Sequence, residues 1–242
     1  ELLGQIMRNY DTPIAVSGTH GKTTTTSMLS HILMAADCDP TISVGGILPS
    51  IGGNIRVGHS ETFLTEACEY TNSFLSFFPT VAVVLNIEED HMDFFKDIDD
   101  IRNSFHQFAA LLPADGALVI NQNIEGINSI TDGLDCKIIT YSERQPADYS
   151  ASEIRFDENG NASFDLLRHG EYVDRITLAV AGNHMHLPSL LSVSSLRFHL
   201  ISLKKGFCRS PERTAVSNIK GSEMVLRSSM IMRIIQRRSA RH

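Results

Sequence analysis

A short turn with two glycines, Gly18-Thr-His-Gly21, separates the apolar run Pro13-Ile-Ala-Val-Ser17 from a helical stretch that opens Lys22-Thr23-Thr24-Thr25-Thr26. Strand, turn, Gly-Lys-Thr and helix in that order constrain the fold more than any other feature of the chain. A bound phosphate needs backbone N–H groups that can approach closely, which glycine permits, and it gains from the partial positive charge of a helix N-terminus. Gly18, Thr19, His20, Gly21, Lys22, Thr23 and Thr24 are therefore expected to cradle a nucleotide. Lys22 reaches the β/γ-phosphates as a point charge, and the Thr23 hydroxyl faces Mg²⁺. The strict spacing G-x-x-x-x-G-K-[ST] is not met, because its first glycine falls on Val16. The plain alternative is a glycine-rich turn with an exposed lysine and a threonine cap.

The rest of the chain alternates strand and helix patterns. Helical character runs from about Lys22 to Ala36, and Thr62–Glu66 and Val81–Leu85 are short β-rich runs, the second apolar on both faces like a buried parallel strand. Asp97 to Leu112 carries apolar residues at helical spacing (Ile98, Ile101, Phe105, Phe108, Leu112) and is stopped by Pro113. Ala117–Ile120 and Lys137–Tyr141 read as later strands. From Tyr149 to Val180, alternating segments around Asn159-Gly160 and His169-Gly170 predict an antiparallel ribbon. The expected fold class is α/β: three layers around a mostly parallel sheet, with a small antiparallel β ribbon. With 42% apolar and 20% charged residues the composition is that of an ordinary globular chain. No apolar run reaches the roughly 18 residues of a membrane span. The four cysteines are widely scattered and form no C-x-x-C pair, which argues against both a disulfide framework and a zinc ribbon and fits a reducing cytoplasm.

Two carboxylate-bearing segments follow predicted strands: Glu66-Ala-Cys-Glu-Tyr70 and Asn86-Ile-Glu-Glu-Asp-His91. Ligands of open parallel sheets sit at the carboxyl ends of strands, so Glu66 and His91 are placed to converge on the phosphate loop. Taken singly, Glu66 reads equally well as a solvated carboxylate and His91 as a cap.

Together with the loop, these motifs resemble the central domain of the Mur ligases, whose own loop is the shortened Gly-Thr-x-Gly-Lys-Thr. Val44-Gly-Gly46, Gly53-Asn-Ile-Arg-Val-Gly58 and Leu178-Ala-Val-Ala-Gly-Asn-His184 are similar too. Folylpolyglutamate synthases share the loop, but the His-Gly-Lys-Thr-Thr-Thr-Thr run fits them less well. The resemblance, closest to the alanine-adding branch, implies an ATP- and Mg²⁺-dependent amide-forming ligase of peptidoglycan precursor synthesis. Its substrates would be ATP, UDP-N-acetylmuramate and L-alanine, with an acyl phosphate between the two half-reactions. It implies that Lys22, Glu66 and His91 are catalytic, that Thr23 and Glu66 hold one Mg²⁺ and His91 a second, and that His184 stands near the adenine. Cys68 departs from the family's usual Asp and is assigned no role. His31, His59, His106 and His169 show no ligand spacing.

The resemblance also implies three domains, of which residues 1–184 are expected to be the central one, without the UDP-sugar domain before it. Residues 185–205 are expected to be a degraded end of that domain. Residues 1–205 carry a balance of −13, whereas residues 206–242 hold 8 Lys+Arg and 2 Asp+Glu, a balance of +6. A basic tail ordinarily reads as a nucleic-acid or membrane arm. The codons favour another reading. Met230 to Ser239 can be written ATG ATT ATG CGC ATC ATC CAA CGG AGA TC. Preceded by a G and regrouped, this spells D-D-Y-A-H-H-P-T-E-I, the pattern the family carries beyond its central domain. The same shift lets Thr214–Gly221 be read as D-R-R-F-E-Y-K-G. An out-of-frame, irregular tail is therefore expected from about residue 206. No nucleic-acid or membrane partner is expected, and the chain as written is expected to bind nucleotide at most, without turnover.

Overall fold

The computed structural model describes residues 2–143, 146–158, 161–181 and 192. Its elements are α1 (Leu2–Met7), β1 (Thr12–Ser17), α2 (Lys22–Ala35), β2 (Thr41–Leu48), β3 (Gly53–Arg56), β4 (Thr62–Glu66), β5 (Val81–Val84), α3 (Ile98–Ala109), β6 (Ala117–Asn121), α4 (Asn128–Thr131), β7 (Lys137–Ser142), β8 (Tyr149–Phe156), β9 (Asn161–Arg168) and β10 (Glu171–Ala181). Strand β1 buries every residue after Thr12, and a strand apolar on both faces must lie inside a sheet covered on both sides. It does so: the single sheet runs β10-β9-β8-β7-β6-β5-β1-β4-β2-β3. Pairing is parallel from β2 through β4, β1, β5, β6 and β7 to β8, and antiparallel only at the two margins.

Alternation along the strands sorts the core into two layers. Ile14, Val16, Val81 and Val83 face α2, whose Met28, Leu29 and Leu33 pack on them together with Phe164 and Ile176 of the ribbon. Ala15, Ala82 and Val84 face the other way, onto Phe74, Phe105 and Phe108. Helix α3 starts where the Asp97 carboxylate accepts the Asp100 N–H at 2.9 Å, the usual side-chain cap. Its Phe108 ring stacks on Phe74 with centroids 4.6 Å apart, while Phe105 meets Phe74 edge-on at 5.4 Å.

The predicted ribbon is present as β8–β9–β10. It continues the main sheet, because Tyr141 and Ser142 of β7 pair with Tyr149 and Ser150. Its second turn has φ 49° at His169 and 83° at Gly170, the two left-handed residues that a tight hairpin matching strand twist requires. Strands β2 and β3 and helix α1 are not among the expected elements. The β2–β3 margin is pinned by Asp39, which accepts hydrogen bonds from the Arg56 guanidinium, the His59 N–H (2.9 Å) and the His59 ring (3.0 Å). Arg56 also donates to the Pro40 carbonyl at 2.6 Å. These contacts, Arg56 first, hold the Asp39 carboxyl down at about 2. The boundaries expected at 184/185 and 205/206 lie outside the described residues. Among the described residues, no helix is long and apolar enough to cross a membrane.

Candidate functional site

Three parallel strands, β4, β1 and β5, end side by side, and the segments leaving their carboxyl ends form one cluster. After β1 the chain turns through Gly18 at φ 139°, a conformation that side chains rarely adopt. A Cβ there would stand 3.0 Å from that of Leu85 and 3.1 Å from the Asn86 nitrogen, so the loop lies directly on the end of β5. Asn86 locks it in place. Its carbonyl accepts the Thr19 N–H at 3.1 Å, its side-chain oxygen accepts the His20 N–H at 2.7 Å, and its amide donates to the His20 carbonyl at 3.1 Å. Thr19 Oγ1 accepts the Glu88 N–H at 3.0 Å. Gly21, at φ 84°, turns the chain into α2, whose first-turn N–H groups have no carbonyl four residues behind them.

Lys22 folds back over the turn. Its Nζ donates to the carbonyls of Gly18 (2.6 Å) and Thr19 (3.2 Å) and to both Glu69 oxygens (3.1 and 3.0 Å). Thr23 Oγ1 donates to Glu66 Oε2 at 3.0 Å, and the Gly45 N–H donates to Glu66 Oε1 at 2.6 Å. Glu66 is thus aimed at the start of α2 from both sides. His91, at φ 54°, brings its Nε2 to 3.9 Å from Glu69 Oε1 and lies against the Tyr70 ring with centroids 4.5 Å apart. Tyr70 donates to Asp93 at 2.8 Å. That bond to a carboxylate raises the Tyr70 phenol above its ordinary 10.0, keeping it a neutral donor.

The structure therefore brings Gly18 to Thr24, Glu66 and His91 together, as the strand-end argument requires. Thr19 and His20 contribute chiefly by fastening the loop to β5. His184 lies outside the described residues. Sequence reasoning missed Glu69, whose side chain is 3% exposed, along with the Asn86 clamp and the Gly45 N–H. The signal for Glu69 was a second carboxylate three residues after Glu66, leaving the same buried strand. Cys68 is exposed. His106 is satisfied by the Ile130 carbonyl at 3.0 Å and His59 by Asp39.

The donor set bears on a metal. Thr23 and Glu66 offer a hydroxyl and a carboxylate, the hard oxygens Mg²⁺ takes one or two at a time while sharing the ion with phosphate and water. No group of three or more His, Cys, Asp or Glu side chains that could by itself hold a metal ion occurs among the described residues. The Thr23 and Glu66 pair fits an ion that arrives with a nucleotide.

A glycine turn and helix N-terminus at the carboxyl end of a central parallel strand, backed by a lysine, a threonine and a carboxylate, form in this α/β domain the kind of cradle that suits a phosphate. The sequence matches the Mur ligase middle domain over residues 16–194, and the chain belongs to that family. UDP-N-acetylmuramate–L-alanine ligase of Lachnospira eligens is 52% identical over 223 residues, covering 92% of this chain and 47% of that protein. Among solved structures, UDP-N-acetylmuramate:L-alanyl-gamma-D-glutamyl-meso-diaminopimelate ligase from Neisseria meningitides superposes with a TM-score of 0.71 at 25% identity, over 81% of this chain and 64% of that one. UDP-N-acetylmuramate-alanine ligase from Thermotoga maritima gives 0.70 at 25% identity, over 81% and 43%. The chain spans about half the length of the curated relatives it matches.

Proposed function

We propose that this chain is the nucleotide-binding part of an ATP-dependent ligase that joins L-alanine to UDP-N-acetylmuramate. The observation that carries the reading is the convergence of Lys22, Thr23 and Glu66 on one strand-end cluster, in a chain about half identical to ligases of that name. In the proposed reaction the γ-phosphoryl group of ATP passes to the lactyl carboxylate of the sugar acid, releasing ADP. The amine of L-alanine then attacks the acyl carbon and expels phosphate, forming the amide.

Residues of this chain serve the first half. The N–H groups of Gly21 and of the first turn of α2 bind the phosphate chain, and Lys22 places a positive charge on the oxygens that gain charge during transfer. That electrostatic role is the main one open to a protein in phosphoryl transfer. Thr23 and Glu66 would hold Mg²⁺, which when bound neutralises phosphate charge. His91, across the cluster beside Glu69, would hold the second Mg²⁺.

Thermal melting of the 242-residue chain with and without MgATP tests the reading. A ligand at about 100 times its Kd stabilises by about 2.7 kcal/mol, so the melting temperature rises with MgATP. Lys22→Ala is expected to abolish that rise. An unchanged melting curve for the wild-type chain, or an equal rise in the variant, overturns the proposal.

A further inference from the structure

Lys22 has three protons to donate, yet four oxygens lie within 3.2 Å of its Nζ: two backbone carbonyls and both oxygens of Glu69. The ammonium is fully engaged before any nucleotide arrives. Glu69 is the more deeply placed partner, its side chain 3% exposed against 16% for Lys22. A buried carboxylate is tolerated only when paired and hydrogen-bonded, and Lys22 is the nearest cation, the His91 ring standing off at 3.9 Å. Backbone geometry holds Glu69 where it is. Its carbonyl accepts the Asn72 N–H at 2.9 Å, and the next residues, Thr71 and Asn72, have φ of 54° and 56°. The Ser104 hydroxyl on α3 fastens Asn72 in turn. The backbone that carries the carboxylate is thus anchored apart from Lys22.

We infer that Glu69 is a positioning residue that parks Lys22 across the empty loop and competes with the nucleotide phosphates for it. This inference rests on the reading that the loop binds ATP. Binding then exchanges one anionic partner of Lys22 for another, and the carboxylate left behind faces His91. Part of the intrinsic affinity of the loop is spent on that exchange. The cluster returns to a defined resting arrangement when the nucleotide leaves.

The test is a calorimetric titration of the 242-residue chain with MgATP, comparing wild type, Glu69→Gln and Glu69→Asp. Glutamine keeps the size and one acceptor for Lys22 but removes the competing charge. It is expected to bind ATP about tenfold tighter, the worth of one charge-assisted contact. Aspartate keeps the charge but withdraws it by one methylene, so it is expected to fall between the two. It also serves if the glutamine variant fails to fold. A residue with only a structural role would shift the melting temperature of the free chain and leave the ATP affinity unchanged. Wild-type binding with equal or weaker affinity in Glu69→Gln, or in Glu69→Asp where only that variant folds, overturns the inference and leaves the functional reading standing. Absence of binding in every chain overturns the functional reading, and the inference with it.

Discussion

Glu66 owes its direction to two donors from different elements, the Thr23 hydroxyl and the Gly45 N–H. A Cβ on Gly45 would stand 2.8 Å from Glu66 Oε2, so the pocket for this carboxylate is the space a side chain would fill. Gly45→Ala is expected to fold, because what must move is the end of a flexible side chain, but Glu66 is then turned away from Thr23. Orienting contacts of this kind are worth about 10–100-fold in metal affinity. In the variant, the Mg²⁺ concentration needed for ATP to raise the melting temperature should therefore climb by at least about tenfold. An unchanged Mg²⁺ dependence would remove Glu66 from the metal site. The contrast with Glu69 shows what a sequence discloses at this scale. Lys22, Thr23 and Glu66 were legible because each stands at the end of a recognisable strand or start of a helix. Glu69 was not, because its meaning lies in a partner 47 positions away in the chain and in a corner whose left-handed Thr71 and Asn72 no local pattern announces.

The strongly patterned elements were legible almost to the residue. Helix α3 was expected over 97–112 and is helical from Ile98 to Ala109, its apolar spacing matching the aromatic layer it covers. Helix α1 and the β2–β3 pair were not, since six residues carry too little period and the glycines of β2 read as loop. The β2–β3 margin is tied by a charge cluster beside the buried Ile42, Val44 and Leu48 of β2, which makes it sensitive to acid. With Arg56 and His59 holding the Asp39 carboxyl at about 2 against an ordinary 3.8, the stabilisation is fully present above the unfolded value. It is lost as pH falls through that window. Asp39→Asn should thus melt below the wild-type chain at pH 6, and the gap should close between about pH 4 and pH 2. A gap independent of pH would mean that the carboxylate charge is not what pins the hairpin.

For the whole chain, the codon pattern behind residues 206–242 predicts that the source DNA, read one nucleotide out of step, encodes R-R-F-E and D-D-Y-A-H-H-P-T-E. Sequencing from about codon 180 past codon 242 decides it: DNA whose shifted frame does not spell those patterns overturns that reading. The fold carries a consequence of a different kind. Strand β1 pairs through Thr12 with Thr62 and through Ile14 with Val81, partners 50 and 67 positions further along. At synthesis rates of about 5–20 residues per second, the last of these appears between about 3 and 13 s after β1 itself. Until Thr62 is made, a strand built for the centre of a sheet has neither of these partners, and until Val81 follows it has only one. The cluster at the ends of β4, β1 and β5 is the work of segments that meet late.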